Sequence, residues 1–574
     1  MLPRLTMTSN VVSATPVAAV VDTEKAGAVD GSLNMDSITR EAAAATDAEH
    51  QLGLWKSLKT YPNAILWSIG LSTCLIMEGF DMALLNQLYA FPPFMQRFGE
   101  PLPNGSYELT ASWQAGLSNA IYVGEIAGLF ISGIISEKYG YRKTLMGAMC
   151  LVAAFIFIIF FSESLVQLLI GEFLIGIPWG VFQTLTTTYA ADVCPLHLRA
   201  YLTTYNNLCW VFGQLIAAGV MVGMLEHMET LGIWSYKIPF ALQWIWPLPL
   251  ILLIFLAPES PYWLVRKGRY DQARRSLLRL TSRNTTDTKF NVDNNISMMI
   301  HTNEMEKSVT EGTSYKDLFR GPVNRRRTEI VCMTWAIQTL CGSTFIGFST
   351  YFYKNAGIPD SQAFNMTLAG YGIGAFGTIS SWFLMRWFGR RTMYFYGQAS
   401  MSLFLLGIGL AGIMGTGNSA ASSAIVALLL LYTLTYNVTV GPVCYSLVSE
   451  LSSTRLRNKT VVLARNLYNI MGIITNVLSP QMMNPTAWGW GAKAGFFWAG
   501  TCALCAVWTF FRLPEPKDRT YGELEVLFEQ RVSARKFHKT VVDRFAAPKD
   551  DSVLGDEKKE GEVEIVETVS RQSS

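Results

Sequence analysis

The sequence predicts an all-α integral membrane protein with twelve transmembrane helices in two six-helix halves. Three observations predict it. First, runs of about twenty apolar residues recur along the 574-residue chain, the length needed to cross ~30 Å of hydrocarbon. Second, a signature repeats: GIISEKYGYRK at 133–143 and WFLMRWFGRR at 382–391 each follow an apolar run. Asp192 with Arg199 is echoed by Glu450 with Arg457, and PESP at 258–261 by PEPK at 514–517, at nearly the same offset. Repeated landmarks at a constant offset mean tandem homologous halves, which in a membrane protein is the sequence mark of a carrier holding its substrate between them. Third, charge is scarce (16% of residues) and crowds into the first 60 residues, a central stretch and the tail.

The spans are expected at about 65–90, 113–136, 144–162, 166–191, 200–224, 240–257, 328–352, 365–387, 392–415, 422–448, 460–483 and 493–512. Their orientation follows from Lys and Arg. Lys138, Arg142, Lys143, Arg199, Arg386, Arg390, Arg391, Arg455, Arg457, Lys459 and a basic central loop lie on one side. Only Arg97, Lys237, Lys354 and Lys493 lie on the other. The first side is therefore expected to be cytoplasmic, with both termini there. The chain divides into a disordered N-terminal tail (1–60), a first half (61–257), a central loop with short helices (258–327), a second half (328–512) and a C-terminal tail (513–574). Residues 11–21 are too short and lack the basic flank of a cleavable signal, so the first span is expected to direct insertion. Asn104 heads a glycosylation sequon in the first outer loop.

The nine cysteines fall in or at the ends of spans, so no disulfide framework is implied, and Cys502-x-x-Cys505 sits inside an apolar helix. No nucleotide loop, metal-ligand spacing or nucleophile constellation is present. No enzyme activity, cofactor, metal or nucleic-acid partner is expected.

Charges inside spans are the most informative residues. Glu78 and Asp81 lie in the first span, Glu172 in the fourth and Arg465 in the eleventh. Each costs roughly 2.5–3.5 kcal/mol at the bilayer centre on insertion scales. Three acids and one arginine cannot all be ionised cheaply, so one acid is expected to carry a proton, with Arg465 pairing the vacated carboxylate. The alternative is a structural salt bridge among helices one, four and eleven. Glu125 in the second span either joins this group or hydrogen-bonds a neighbouring helix. Trp179 and Trp210 lie inside spans and are read as packing.

The signatures resemble the sugar porter family of the major facilitator superfamily over about residues 60–530. GIISEKYGYRK matches that superfamily's loop, with Glu137 for the acid and Lys138 for the base. PESPYWLVRKGR at 258–269 and PEPKDRTYGELEVLF at 514–528 resemble the stretches that close the two halves. YAADVCPLHLR at 189–199 resembles the motif after the fourth span. MEGFDMALL (77–85), GIPWGVFQTLTTTYAADVCP (176–195), GPVCYSLVSELSSTRLRNKT (441–460) and ARNLYN (464–469) resemble fungal maltose permeases, the α-glucoside:proton symporters. Departures occur: Arg386 and Trp387 stand where the second-half loop has an acid and a base, and Glu172, Thr344 and Tyr445 replace residues of hexose carriers.

The resemblance implies a major facilitator fold that imports α-glucosides with a proton across the plasma membrane, functional as a monomer in the lipid bilayer. Asp81 matches the proton-binding aspartate of the first span. Matching sugar contacts are Asn207, Gln338, Thr344, Tyr445, Asn466 and Asn469, with Gln214 one stripe on from Asn207. A cytoplasmic gate is expected from Glu137, Lys138, Arg142, Arg199 and Glu259 in the first half, and from Glu450, Arg390 and Arg457 in the second. An uncoupled facilitator, a hexose:proton symporter and a non-transporting sugar sensor remain alternatives.

Overall fold

A computed structural model describes residues 11–13, 54–102, 105–194, 196–282, 291–310, 314–414, 419–453, 456–517, 519 and 521–543. Asn104 therefore lies outside the described residues, as does most of each tail. Twelve helices among the described residues are long and apolar enough to cross a membrane. They run Pro62–Leu88, Ala111–Tyr139, Tyr141–Phe160, Leu165–Val193, Tyr201–Glu226 and Trp234–Leu256 (spans 1 to 6), then Pro322–Gly347, Asp360–Trp387, Arg390–Ile413, Ser419–Leu451, Lys459–Met483 and Gly491–Arg512 (spans 7 to 12). The largest departures from expectation are the starts of spans 6 and 7. Span 7 begins at Pro322, six residues earlier than expected, because proline at the first turn starts a helix whose basic first turns hydropathy does not register.

The outer faces carry exposed Leu66, Leu248, Phe376, Leu403 and Leu504, as a bundle facing hydrocarbon requires. Inside, small residues bring helices together. A Cβ on Gly124 or Gly128 of span 2 would fall 2.2 or 2.0 Å from a carbonyl oxygen of span 4. On Gly79 of span 1 it would fall 2.2 Å from the Trp210 carbonyl oxygen of span 5. Only glycine permits these approaches, which is the small-residue packing that membranes favour. Span 11 packs on span 2 and span 8 on span 5, so these pairs join the halves.

Span 7 is not a regular helix. It runs regularly from Pro322 to Gln338, loosens into a wide turn at Thr339–Ser343 with Gly342 at φ 93°, and resumes at Thr344. The central stretch forms helices Pro261–Arg266, Tyr270–Leu280 and Val292–Thr310, in line with the basic helical pattern of 264–280. The last residues of the expected disordered tail, Leu54–Thr60, are helical, and the C-terminal region contributes helix Tyr521–Glu529. A separate small unit holds a parallel pairing of Val11–Ser13 with Val541–Asp543.

The glycine contacts lead to a test. Gly128→Val should destabilise the detergent-solubilised protein by about 1–3 kcal/mol or more, as overpacking does. Gly147→Val, at a glycine with no atom within 4 Å of the added Cβ, should leave the thermal midpoint nearly unchanged.

Candidate functional site

At mid-bundle, span 1 meets spans 4, 5 and 11 through one chain of polar side chains. Glu78 Oε1 accepts hydrogen bonds from Gln183 Nε2 of span 4 at 2.6 Å and from Trp210 Nε1 of span 5 at 3.1 Å. The carbonyl oxygen of the same Gln183 side chain accepts from Arg465 Nε of span 11 at 2.8 Å. The direct acid–arginine pair expected from the sequence is thus replaced by a glutamine bridge, and this bridge crosses from one half to the other. Gln183 was not singled out in the sequence, where it stands in the polar run QTLTTT. Arg465 is also held by aromatic faces, its guanidinium carbon lying 4.6 Å from the Trp335 ring centre and 4.3 Å from that of Tyr468.

The remaining acids part from this chain. Asp81 turns away to accept from Gln243 Nε2 at 2.7 Å and Trp179 Nε1 at 3.3 Å, so Trp179 serves as a hydrogen-bond donor as well as packing. Glu172 is fully buried, with neither oxygen hydrogen-bonded, and interacts electrostatically with Asp81 rather than with Arg465. Glu125 faces Gln183 and Asn469 and interacts with Glu78 and Arg465, yet its oxygens make no hydrogen bond of normal geometry.

Between the halves lies a cavity of about 1420 Å³. Glu78, Gln183, Trp210 and Arg465 line it, whereas Asp81 and Glu172 do not. Of the expected sugar contacts, Asn207, Gln214, Gln338, Thr344 and Tyr445 line it. Asn466 and Asn469 do not: the amide of Asn466 bonds back to Val462 O of its own helix, and Asn469 is turned toward Glu125. Some lining groups are partly engaged. Gln338 Nε2 donates to Gly441 O at 2.9 Å, Ser479 donates to Thr344 Oγ1 at 2.9 Å, and Asn207 Nδ2 reaches Thr378 Oγ1 at 3.4 Å. Tyr436 and Asn437, which the sequence reading did not select, complete the lining. At mid-bundle, uncharged amides, hydroxyls and aromatic rings beside Glu78 and Arg465 suit a neutral polyhydroxylated ligand.

The cavity continues to exposed residues at the end that bears the central segment, including Glu137 and Lys267, with the half-buried Arg457 beside them. The other end is sealed. Tyr89 stacks on Phe348 at 6.1 Å, Tyr351 donates to Glu108, and Lys354 Nζ reaches Ala90 O at 2.7 Å and Asp360 at 3.0 Å. Burial pushes the Glu108 carboxyl above its ordinary range, while Tyr351 and Lys354 pull it back.

The gate residues are arranged differently from expectation. Among the described residues, Glu259 accepts no hydrogen bond from a basic side chain. It accepts instead from the backbone N–H groups of Tyr141 and Arg142 at the start of span 3, at 3.0 and 3.2 Å. Glu515 does the same at the start of span 9, accepting from Arg390 N at 2.8 Å and Arg391 N at 3.0 Å. Each carboxylate meets the positive end of a helix. The preceding glycines make room, since a Cβ at Gly140 would fall 2.7 Å from Glu259 Oε2 and one at Gly389 2.1 Å from Glu515 Oε2. This fold-level repeat explains why PESP and PEPK recur with the glycine loops. Burial raises the Glu259 carboxyl, opposed by the N–H groups it accepts from.

Arg142 instead reaches Ala257 O at 3.5 Å and the Phe255 ring, and Lys138 lies over Tyr139. Ion pairs at this end include Asp192–Arg266 at 3.9 Å and Glu450–Arg390 at 3.4 Å. The Arg199 side chain lies outside the described residues. In the second-half loop, Lys517 Nζ donates to the carbonyls of Arg386 and Trp387, so the departures there leave the turn capped.

The sequence matches the family described as sugar (and other) transporter over residues 67–528. It is 44% identical over 516 residues to maltose permease MAL61 of Saccharomyces cerevisiae, covering 90% of this chain and 84% of the relative. It is 45% identical over 518 residues to alpha-glucosides permease MPH3 of the same species, covering 89% and 85%. Among solved structures, the partially occluded inward-open xylose transporter XylE from E. coli superposes with a TM-score of 0.64 at 19% identity, over 80% of this chain and 99% of that one. XylE as a proton:xylose symporter of the major facilitator superfamily, bound to a bromodeoxyglucose, gives 0.63 at 20% identity, over 86% and 100%. These two likenesses show that the chain shares the fold of those structures.

Gln183 can be tested directly. Gln183→Leu removes a donor to Glu78 and an acceptor from Arg465, leaving buried charges short of partners. It should cost about 1–3 kcal/mol in stability and cut solute uptake at least tenfold at equal surface amount. Wild-type uptake and thermal midpoint in Gln183→Leu would remove the bridge from the account.

Proposed function

We propose that this chain, which belongs to the sugar transporter family, imports maltose-like α-glucosides together with a proton across the plasma membrane by alternating access. The observation that carries the reading is the cavity between the halves: neutral polar and aromatic side chains surround Glu78, and Glu78 is tied through Gln183 to Arg465. The relatives named maltose and α-glucoside permeases support the substrate class. The Lys and Arg asymmetry supports a cytoplasmic location for the central segment and both termini, and the carrier is read as a monomer.

In this reading the cavity faces the cytoplasm and the Glu108–Tyr351 and Lys354 contacts close the outer gate. Glu259 and Glu515, with Glu450–Arg390, brace the inner helix ends. Glu137, Lys138, Arg142, Arg199 and Arg457 would meet across the inner mouth when it closes.

Glu78 is the favoured proton carrier, because it lines the cavity and keeps Oε2 free of hydrogen bonds. Asp81, satisfied by two donors and away from the cavity, holds spans 1, 4 and 6 in register. Glu125 is a buried neighbour of Glu78 and Glu172 of Asp81, each available to share a proton. Asn207, Gln214, Gln338, Thr344 and Tyr445 hold the sugar, while Asn466 and Asn469 support span 11.

The driving force suffices. An inward proton gains about 2.3 kcal/mol per 100 mV and about 1.4 kcal/mol per pH unit. One proton per sugar then supports accumulation of roughly several hundredfold.

The test is uptake of labelled maltose into transporter-null yeast at pH 5 and pH 7, with and without an uncoupler. Wild type should accumulate sugar at pH 5 and lose most of that with the uncoupler. Glu78→Gln should abolish accumulation, and Asp81→Asn should reduce it. Uncoupler-insensitive equilibration by wild type would mean a facilitator, and uptake of other sugars but not maltose would overturn the substrate class.

A further inference from the structure

Trp335 occupies a position the reading so far leaves unused. It lies in span 7, lines the cavity and is only 4% exposed. Its indole Nε1 is buried with no hydrogen-bond partner among the described residues. A buried tryptophan N–H nearly always finds a partner, so an orphan donor on a cavity wall points to a ligand. Gln338 stands three residues on, one turn along the same helix, and lines the same cavity. The face of the indole does a second task. The Arg465 guanidinium lies against it, and Tyr445 meets its edge at 4.9 Å between ring centres.

We propose that Trp335 couples sugar occupancy to the position of Arg465: its N–H donates to a sugar hydroxyl while its ring face holds the guanidinium. The inference rests on the α-glucoside reading above and adds a positioning and specificity role to it. A sugar that engages Nε1 fixes the indole plane, and the plane fixes where the guanidinium sits. Arg465 is surrounded by Gln183 of span 4, Glu78 of span 1, Glu125 of span 2, Tyr445 of span 10 and Tyr468 of its own span. Movement of the ring therefore changes how strongly Arg465 is drawn toward the acids. The N–H edge and the ring face of one side chain thus serve the sugar and the guanidinium respectively. A packing tryptophan would need neither the free donor nor the cation on its face.

The experiment compares Trp335→Phe, Trp335→Leu and wild type in transporter-null yeast, using labelled maltose and correcting for surface amount. Trp335→Phe keeps a ring for Arg465 and removes the donor. It should raise KM about three- to tenfold, the effect of one lost hydrogen bond to a neutral group, with uncoupler-sensitive accumulation retained. Trp335→Leu removes both, and accumulation should fall toward equilibration. Should Trp335→Leu fail to reach the surface, Trp335→Phe alone carries the test. A wild-type KM in Trp335→Phe, or losses in both variants that follow surface amount only, would overturn the assignment while leaving the transport reading intact. Absence of maltose uptake by wild type would overturn the α-glucoside reading and this assignment with it.

Discussion

The bridge Glu78–Gln183–Arg465 is the constraint around which the rest of the molecule is arranged. A guanidinium placed in a membrane bundle is tolerable only with partners, and Arg465 receives them from both halves. Its stacking partners, Trp335 and Tyr468, belong to the second half, whereas Gln183 and Glu78 belong to the first. Separation of the halves must therefore break or remake this link. A proton on Glu78 weakens what Gln183 donates to, and Gln183 is what Arg465 donates to. In the proposed mechanism, protonation of Glu78 and the contact between halves are in this way one event rather than two.

Such a link can work only if the halves are stiff. Glycines at the crossings of spans 2 with 4 and 1 with 5 bring backbones into contact, so these helices move together. At the open end the paired carboxylates Glu259 and Glu515 fix the starts of spans 3 and 9 by accepting backbone hydrogens. The loosened turn in span 7, beside Gln338 and Thr344, is the contrasting element, a place where a helix that touches the cavity can bend.

The architecture was legible from the sequence because its signals are coarse: span length and the constant offset of three landmarks. The site was legible only in part. Glu78 and Asp81 are three residues apart, which leaves about 60° between them around a helix. In a span packed on all sides that angle is enough to send one to the cavity and the other to Gln243 and Trp179. Asn466 and Asn469 follow Arg465 in sequence but point away from the cavity for the same reason, the first bonding back to its own helix and the second turned toward Glu125. Polar identity marked these residues; rotation decided their neighbours. Gln183 was missed because a neutral amide in a span ordinarily signals only interhelix bonding. The gate was misread in detail because Glu259 and Glu515 satisfy backbone donors, which no side-chain pattern displays.

The most direct measurement is sugar-evoked proton entry in proteoliposomes containing purified protein, read with an internal pH dye beside maltose exchange. The account predicts that maltose acidifies wild-type vesicles, and that Glu78→Gln exchanges maltose at a substantial rate without moving protons. Maltose-evoked acidification of wild-type size in Glu78→Gln would contradict it, and would return the proton to another of the buried acids.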